Sequence, residues 1–207
     1  MMGRLPRFAD QDPDESYYDP AFDGVVRRLR QGGCQLAEGE GVLTTLLGSC
    51  VAVCLRDTHL MIGGMVHFVL PGTADGTAAT LAEYGPYPYG EPAMAELHRR
   101  LMARGATPKQ LEAKVFGGGE VVSVLGPIGW RNIECVETFM RDYGIPIVAS
   151  DLGGTQSRRL YYQASSGRAW VRRKGDGTAS DAGPLERPGA GLGQGRITTG
   201  NPTGDRR

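Results

Sequence analysis

The chain has 207 residues, with 23 Lys+Arg against 23 Asp+Glu and a formal net charge of zero. That balance does not support a nucleic-acid binder, which needs a cation excess to displace counterions from phosphates. Hydrophobic residues make up 40% of the sequence, enough for a core, and no apolar run approaches the ~20 residues that cross a bilayer. The opening MMGRLPRFADQDPDESYYDP has no apolar stretch of the kind a secretory signal carries. The four cysteines at 34, 50, 54 and 135 lack the spacing of a disulfide framework. The expectation is a cytoplasmic protein with reduced thiols and no membrane insertion.

In chain order, residues 1–24 are polar and rich in Asp and Pro, and read as a loose N-terminal arm with one docked patch around Tyr17-Tyr18-Asp19-Pro20. Val51–Leu55 and the run from Met61-Ile62 to Leu70 are short β-favouring segments bounded by turn residues. A helix is predicted over Glu91–Arg104, with Pro92 in its first turn, Met94, Leu97 and Leu101 on one face, and Gly105 at its end. Leu111–Phe116 reads as a strand that stops at Gly117-Gly118-Gly119. A second helix is predicted over Asn132–Tyr143, with Ile133, Val136 and Met140 on one face and Gly144 as its cap. A strand over Ile145–Ser150, a Gly153-Gly154 turn and a hairpin of Arg159–Ala164 with Ala169–Arg173 follow. Residues 174–207 hold nine Gly, three Pro and no aromatic residue. Such a segment cannot bury enough surface to offset its ordering entropy, and is expected to be a disordered tail. The folded unit is then 25–173. Adjacent hairpins and two long helices indicate a single α+β domain, its antiparallel or mixed sheets packed on the helices in a layered αββα-type sandwich, rather than a doubly wound sheet.

Chemistry is first suggested by Leu47-Gly48-Ser49-Cys50 and the later His67. A cysteine nucleophile needs a base within reach and N–H donors for the developing oxyanion, which backbone at Gly48 and Ser49 can supply. Taking Thr58-His59 as a two-residue hairpin loop pairs Leu55 with Ile62, Val53 with Gly64 and Val51 with Val66. It then sets Cys50 across from His67, close enough for a thiolate–imidazolium pair and a depressed thiol pKa. The plain alternative is that Cys50 is a small buried hydrophobe and His67 a core histidine. A zinc site built on Cys50 and Cys54 with His59, His67 or His98 is disfavoured. Four residues along a strand put the two sulfurs about 13 Å apart, too far for one ion. No metal is expected. The glycine runs at 117–119 and 153–154 match no phosphate-binding loop and serve either as turns or for close approach to a substrate.

Several blocks carry a resemblance: Thr44-Thr-Leu-Leu-Gly48-Ser49-Cys50, Gly63-Gly64-Met-Val-His67-Phe-Val-Leu-Pro71, Leu111 through Gly119, Arg131-Asn132, and Asp151-Leu-Gly-Gly154. Together they resemble the chemoreceptor glutamine deamidase family (CheD) over about residues 18–173. The 72–90 loop is unusually rich in Ala, Gly and Pro and holds no catalytic match. The resemblance implies a cysteine hydrolase that converts receptor glutamines to glutamates and releases ammonia through a thioester, without a cofactor. It places the nucleophile at Cys50, the base at His67 and a third member at Thr44, with Thr45 as competitor. Gly48 and Ser49 become the oxyanion backbone, and Gly117, Gly118, Asp151, Gly153 and Gly154 become substrate-region candidates. The implied partners are the cytoplasmic helices of methyl-accepting chemoreceptors and a CheC-type phosphatase. The alternative is a non-catalytic chemotaxis scaffold binding the same partners.

Overall fold

The computed structural model describes residues 16–37, 39–72, 77–120 and 127–173. The expected disordered tail at 174–207, and residues 1–15 of the expected arm, lie outside the described residues. Among these residues, ten strands form two mixed five-stranded sheets. The first sheet contains β1 (Ser16–Asp19), β2 (Gly24–Arg28), β4 (Val42–Leu47), β9 (Arg158–Gln163) and β10 (Arg168–Arg173), side by side in that order. The second runs β3 (Gly33–Leu36), β6 (Ile62–Phe68), β5 (Val51–Asp57), β7 (Leu111–Gly117), β8 (Ile147–Leu152). Only the β2–β4 and β7–β8 pairs are parallel. Helix α3 (Ile128–Asp142) lies between β7 and β8 in the chain and makes the crossover that a parallel pair requires.

Strand β5 is the centre of the molecule, because both of its faces are apolar. Val51, Val53 and Leu55 face the long helices α2 (Gly90–Met102) and α3, and meet Met94, Leu97, Leu101, Val136 and Met140 in one core. Ala52 and Cys54 face the first sheet, where Leu43, Leu47, Leu160 and Tyr162 close a second core. Each large side chain so buried contributes roughly 1.5–3 kcal/mol. Gly64 permits the close seating of α2: a Cβ there would stand 2.8 Å from Leu97 Cδ1 and 2.5 Å from the Gln35 carbonyl oxygen. The architecture is the expected single α+β domain. Both long helices pack on the second sheet, so the layers run helix, sheet, sheet. Among the described residues no helix forms a fourth layer on the first sheet, whose outer face is partly covered by Phe22 stacked near Tyr161 and Trp170.

Four local expectations change. The β5–β6 loop has four residues rather than two, because Asp57 Oδ1 accepts from the backbone N–H groups of His59 and Leu60 and folds the turn around itself. The register therefore moves by two: Val53 pairs with Val66, and His67 lies opposite Ala52, not Cys50. A move of two preserves which face each side chain occupies, so the core face survives. Helix α3 starts at Ile128, four residues before the expected Asn132, because Gly129 lets its first turn press onto Gly118. A short helix α1 (Ala78–Tyr84), capped by the Thr77 hydroxyl, occupies part of the 72–90 segment read as a loop, and buries none of its residues. Residues 16–19, where a docked patch was expected on the arm, are the edge strand β1. Among the described residues no helix is long and apolar enough to cross a membrane.

Candidate active site

The turn from β4 to β5 carries Gly48, Ser49 and Cys50, and each of its three carbonyls is held from outside. Gly119 N–H donates to the Gly48 oxygen at 2.8 Å, and Gly118 N–H to the Cys50 oxygen at 2.8 Å. The buried Asn132 side chain donates to the Ser49 oxygen at 3.0 Å and to the Val69 oxygen at 2.9 Å. With the carbonyls turned away, the N–H groups of Gly48 and of Cys50 itself face the Cys50 sulfur. That arrangement suits an anion developing beside the thiol.

Gly117 and Gly118, at φ 109° and 63°, and Gly153 and Gly154, at φ 73° and 75°, build the collar that does this holding. Gly153 N–H donates to the Gly117 oxygen at 2.9 Å, and Glu120 N–H to the Gly154 oxygen at 2.8 Å. Asp151 stands behind them. Its carboxylate accepts from Arg158 at 2.5 Å and from Arg173 at 2.7 Å, and Arg158 also binds the Gly153 carbonyl. All five expected substrate-region residues thus lie in one network of backbone hydrogen bonds, backed by the Asp151–Arg158–Arg173 ion pairs.

His67 is 1% exposed and lies on the inter-sheet face of β6. Its Nδ1 is 2.7 Å from Thr45 Oγ1. The Thr45 hydroxyl spends its one proton on the Leu29 carbonyl at 2.8 Å. It can therefore only accept from the imidazole, which fixes the proton on Nδ1 and leaves a lone pair on Nε2. Nε2 is buried and has no hydrogen-bond partner. Thr44, expected as the third member, does not meet His67. Side chains alternate along β4, so Thr44 points to the outer face of the first sheet and donates to the Leu160 oxygen at 2.7 Å. Thr45 shares the inner face with Leu43 and Leu47, and that apolar parity was the available signal for choosing it.

Cys50 is 7% exposed, and Cys54, within β5, is 1% exposed. Burial pushes the Cys50 thiol above its ordinary pKa, against a smaller lowering by the two N–H groups. Burial also lowers His67 to about 4. Both shifts run against the expected thiolate–imidazolium pair, because burial favours a neutral thiol and a neutral imidazole. Cys50 packs with Ala52 and Cys54, and Ala52 is the register partner of His67. One further side chain reaches the thiol without having been singled out from the sequence: Gln31, exposed, with Nε2 3.8 Å from Cys50 Sγ. No motif marks it, because it comes from the β2–β3 connection, distant in sequence from the Gly-Ser-Cys turn. A groove of about 500 Å³ beside α3, lined by Pro71, Glu91, Cys135 and Tyr143, includes none of these residues.

A family model described as CheD chemotactic sensory transduction matches residues 69–173. The chain is 44% identical over 158 residues to a protein of Caulobacter vibrioides named probable chemoreceptor glutamine deamidase CheD, covering 75% of this chain and 82% of that one. Proteins of the same name are similar at 41% over 159 residues in Xanthomonas euvesicatoria pv. vesicatoria (76% and 77%) and at 39% over 163 residues in Saccharophagus degradans (77% and 75%).

Proposed function

The chain belongs to the CheD family, and from that premise we propose that it hydrolyses the side-chain amide of specific glutamines in methyl-accepting chemoreceptors, using Cys50 as nucleophile and His67 as base. The observation that carries the reading is the buried, unpartnered Nε2 of His67, kept as a proton acceptor by Thr45 on the same face as a thiol ringed by N–H donors.

As the Cys50 sulfur attacks the carboxamide carbon, its proton passes to His67 Nε2, and the carbonyl π pair moves to oxygen. Contacts of this kind commonly close only in the substrate complex. The Gly48–Cys50 backbone N–H groups receive the oxyanion. Collapse breaks the C–N bond, and the proton on Nε2 leaves with ammonia, giving a thioester. A water then gives its proton to Nε2 and its oxygen to the carbonyl carbon, the C–S bond breaks, and the sulfur recovers the proton. The reaction as drawn needs no metal or organic cofactor. Each turnover adds one negative charge to a receptor helix, worth a few tenths of a kcal/mol against each like-charged neighbour, enough for several sites to bias a signalling equilibrium.

The reading places the protein in the cytoplasm, where receptor signalling helices lie, and takes a CheC-type phosphatase as a further partner on the strength of the family resemblance. Ammonia release from a purified receptor cytoplasmic domain tests it, with free glutamine and glutamine peptides as comparisons. Release from the receptor domain alone, with conversion of defined glutamines seen by mass spectrometry, supports it. Binding to the receptor domain with no amide converted would instead leave a scaffold.

A further inference from the structure

We propose that the side-chain amide of Gln31 is a third oxyanion donor, closing the ring that Gly48 and Cys50 N–H groups leave open around the nucleophile; this rests on the cysteine-hydrolase reading of Cys50.

Three observations carry it. Gln31 Nε2 lies 3.8 Å from Cys50 Sγ, with the nitrogen toward the sulfur. An oxyanion formed on a carbon bonded to that sulfur can lie to one side of the line between the two, forming a triangle in which it keeps the distance of about 2.7–3.1 Å from Nε2 that such donors use. Gln31 is also fixed at its base. The next residue, Gly32, donates to the His67 carbonyl at 2.6 Å and accepts from Tyr87 N–H at 2.9 Å. Just upstream, the Leu29 carbonyl takes the Thr45 proton. The segment that sets the tautomer of the base therefore also delivers the amide to the thiol. Finally, the Gln31 side chain is exposed at the outer side of a thiol that is itself only 7% exposed. It stands where a substrate amide must enter, so its N–H groups meet the incoming carbonyl.

The test compares two reactions of Cys50 in the full chain. Acylation by p-nitrophenyl acetate passes through a tetrahedral oxyanion; alkylation by iodoacetamide does not. In Gln31→Met, which keeps the length and removes the donor, acylation should slow about tenfold or more, less than the ~10²–10³-fold of a buried donor because water reaches this position. Alkylation should stay within about twofold of wild type, because the thiol itself is unchanged. Gln31→Glu should slow acylation further, since a carboxylate repels the oxyanion. Both variants change an exposed side chain and should fold. If Gln31→Met acylates at the wild-type rate, or if both reactions slow equally, Gln31 is not an oxyanion donor. Neither readout uses a receptor. Failure of the receptor reading appears separately, as wild-type protein that acylates normally but releases no ammonia from the receptor domain.

Discussion

Thr45 and His67 stand on different sheets and are joined by a hydrogen bond of 2.7 Å across the sandwich. His67 lies on the sheet that also receives the Cys50 turn into β5, while the group that decides which of its nitrogens is free comes from the other sheet. Proton transfer in this site therefore depends on how the two sheets are seated.

Thr45→Val should lower kcat for ammonia release about 10- to 100-fold, less than the ~10²–10⁴-fold of losing the base outright because the imidazole remains, with KM little changed. Thr45→Ser, which keeps the hydroxyl, should restore most of it. Thr44→Val should cost about 1 kcal/mol of stability for the lost bond to Leu160 while kcat stays within about threefold. Equal kinetic loss in the two valine variants would remove Thr45 from its positioning role.

Cys50→Ala should abolish ammonia release and leave the melting temperature nearly unchanged, whereas Cys54→Ala should remain active. In wild type, the alkylation rate of Cys50 by iodoacetamide should rise with pH to a midpoint above the ordinary thiol value, because burial disfavours the thiolate. A midpoint below that value would mean an ion pair with His67 at rest.

His67 also makes stability depend on pH. Above about pH 6.5 the group is neutral folded and unfolded, and contributes no pH dependence. As pH falls, the unfolded chain takes the proton first, and the folded chain refuses it until about 4, so stability is lost across that window. At roughly 1.4 kcal/mol per pH unit the loss is about 3 kcal/mol. Glu96, held down to about 2 by its bonds to Arg99 and Arg100, adds its own loss below this range. Denaturant melts of wild type and His67→Gln at pH 7 and pH 4.5 read the difference. Parallel decline in both proteins would show that His67 is not the titrating group.

Gly117→Ala should unseat the nucleophile. Its φ of 109° disfavours any Cβ, and that Cβ would meet the Cys50 carbonyl. Gly144→Ala is the control: φ is 64°, but a Cβ there meets nothing within 4 Å. The control should lose about 1–2 kcal/mol for the left-handed conformation. Gly117→Ala should lose more and also change the Cys50 alkylation rate. A Gly117→Ala protein as stable and reactive as the control would mean the collar does not position the turn.

What could be read from the sequence was periodic. Val51, Val53 and Leu55, and the helical faces of Met94, Leu97, Ile133 and Val136, stand where alternation and the 3.6-residue repeat put them. The direct opposition of Cys50 and His67 could not be read. It hung on the length of one loop, and Asp57 sets that length by bonding forward to His59 and Leu60. The choice between Thr44 and Thr45 required knowing which face of β4 turns inward, and both threonines are buried, so burial preference alone does not separate them. Gln31 and strands β2–β4 escaped because they depend on contacts between distant segments. β1 and β3 are only four residues long and partly exposed, too short for a period to declare itself.

The raised thiol of Cys50 also bears on chemical durability. Peroxide and other oxidants react with thiolates far faster than with thiols, and the first product, a sulfenic acid, is the start of a ladder whose later rungs are irreversible. Under the proposed mechanism, a Cys50 thiol kept protonated inside the sandwich, and deprotonated only as His67 accepts its proton, offers an oxidant little to attack between turnovers. The site gives up standing reactivity and gains a cysteine that survives waiting for its substrate.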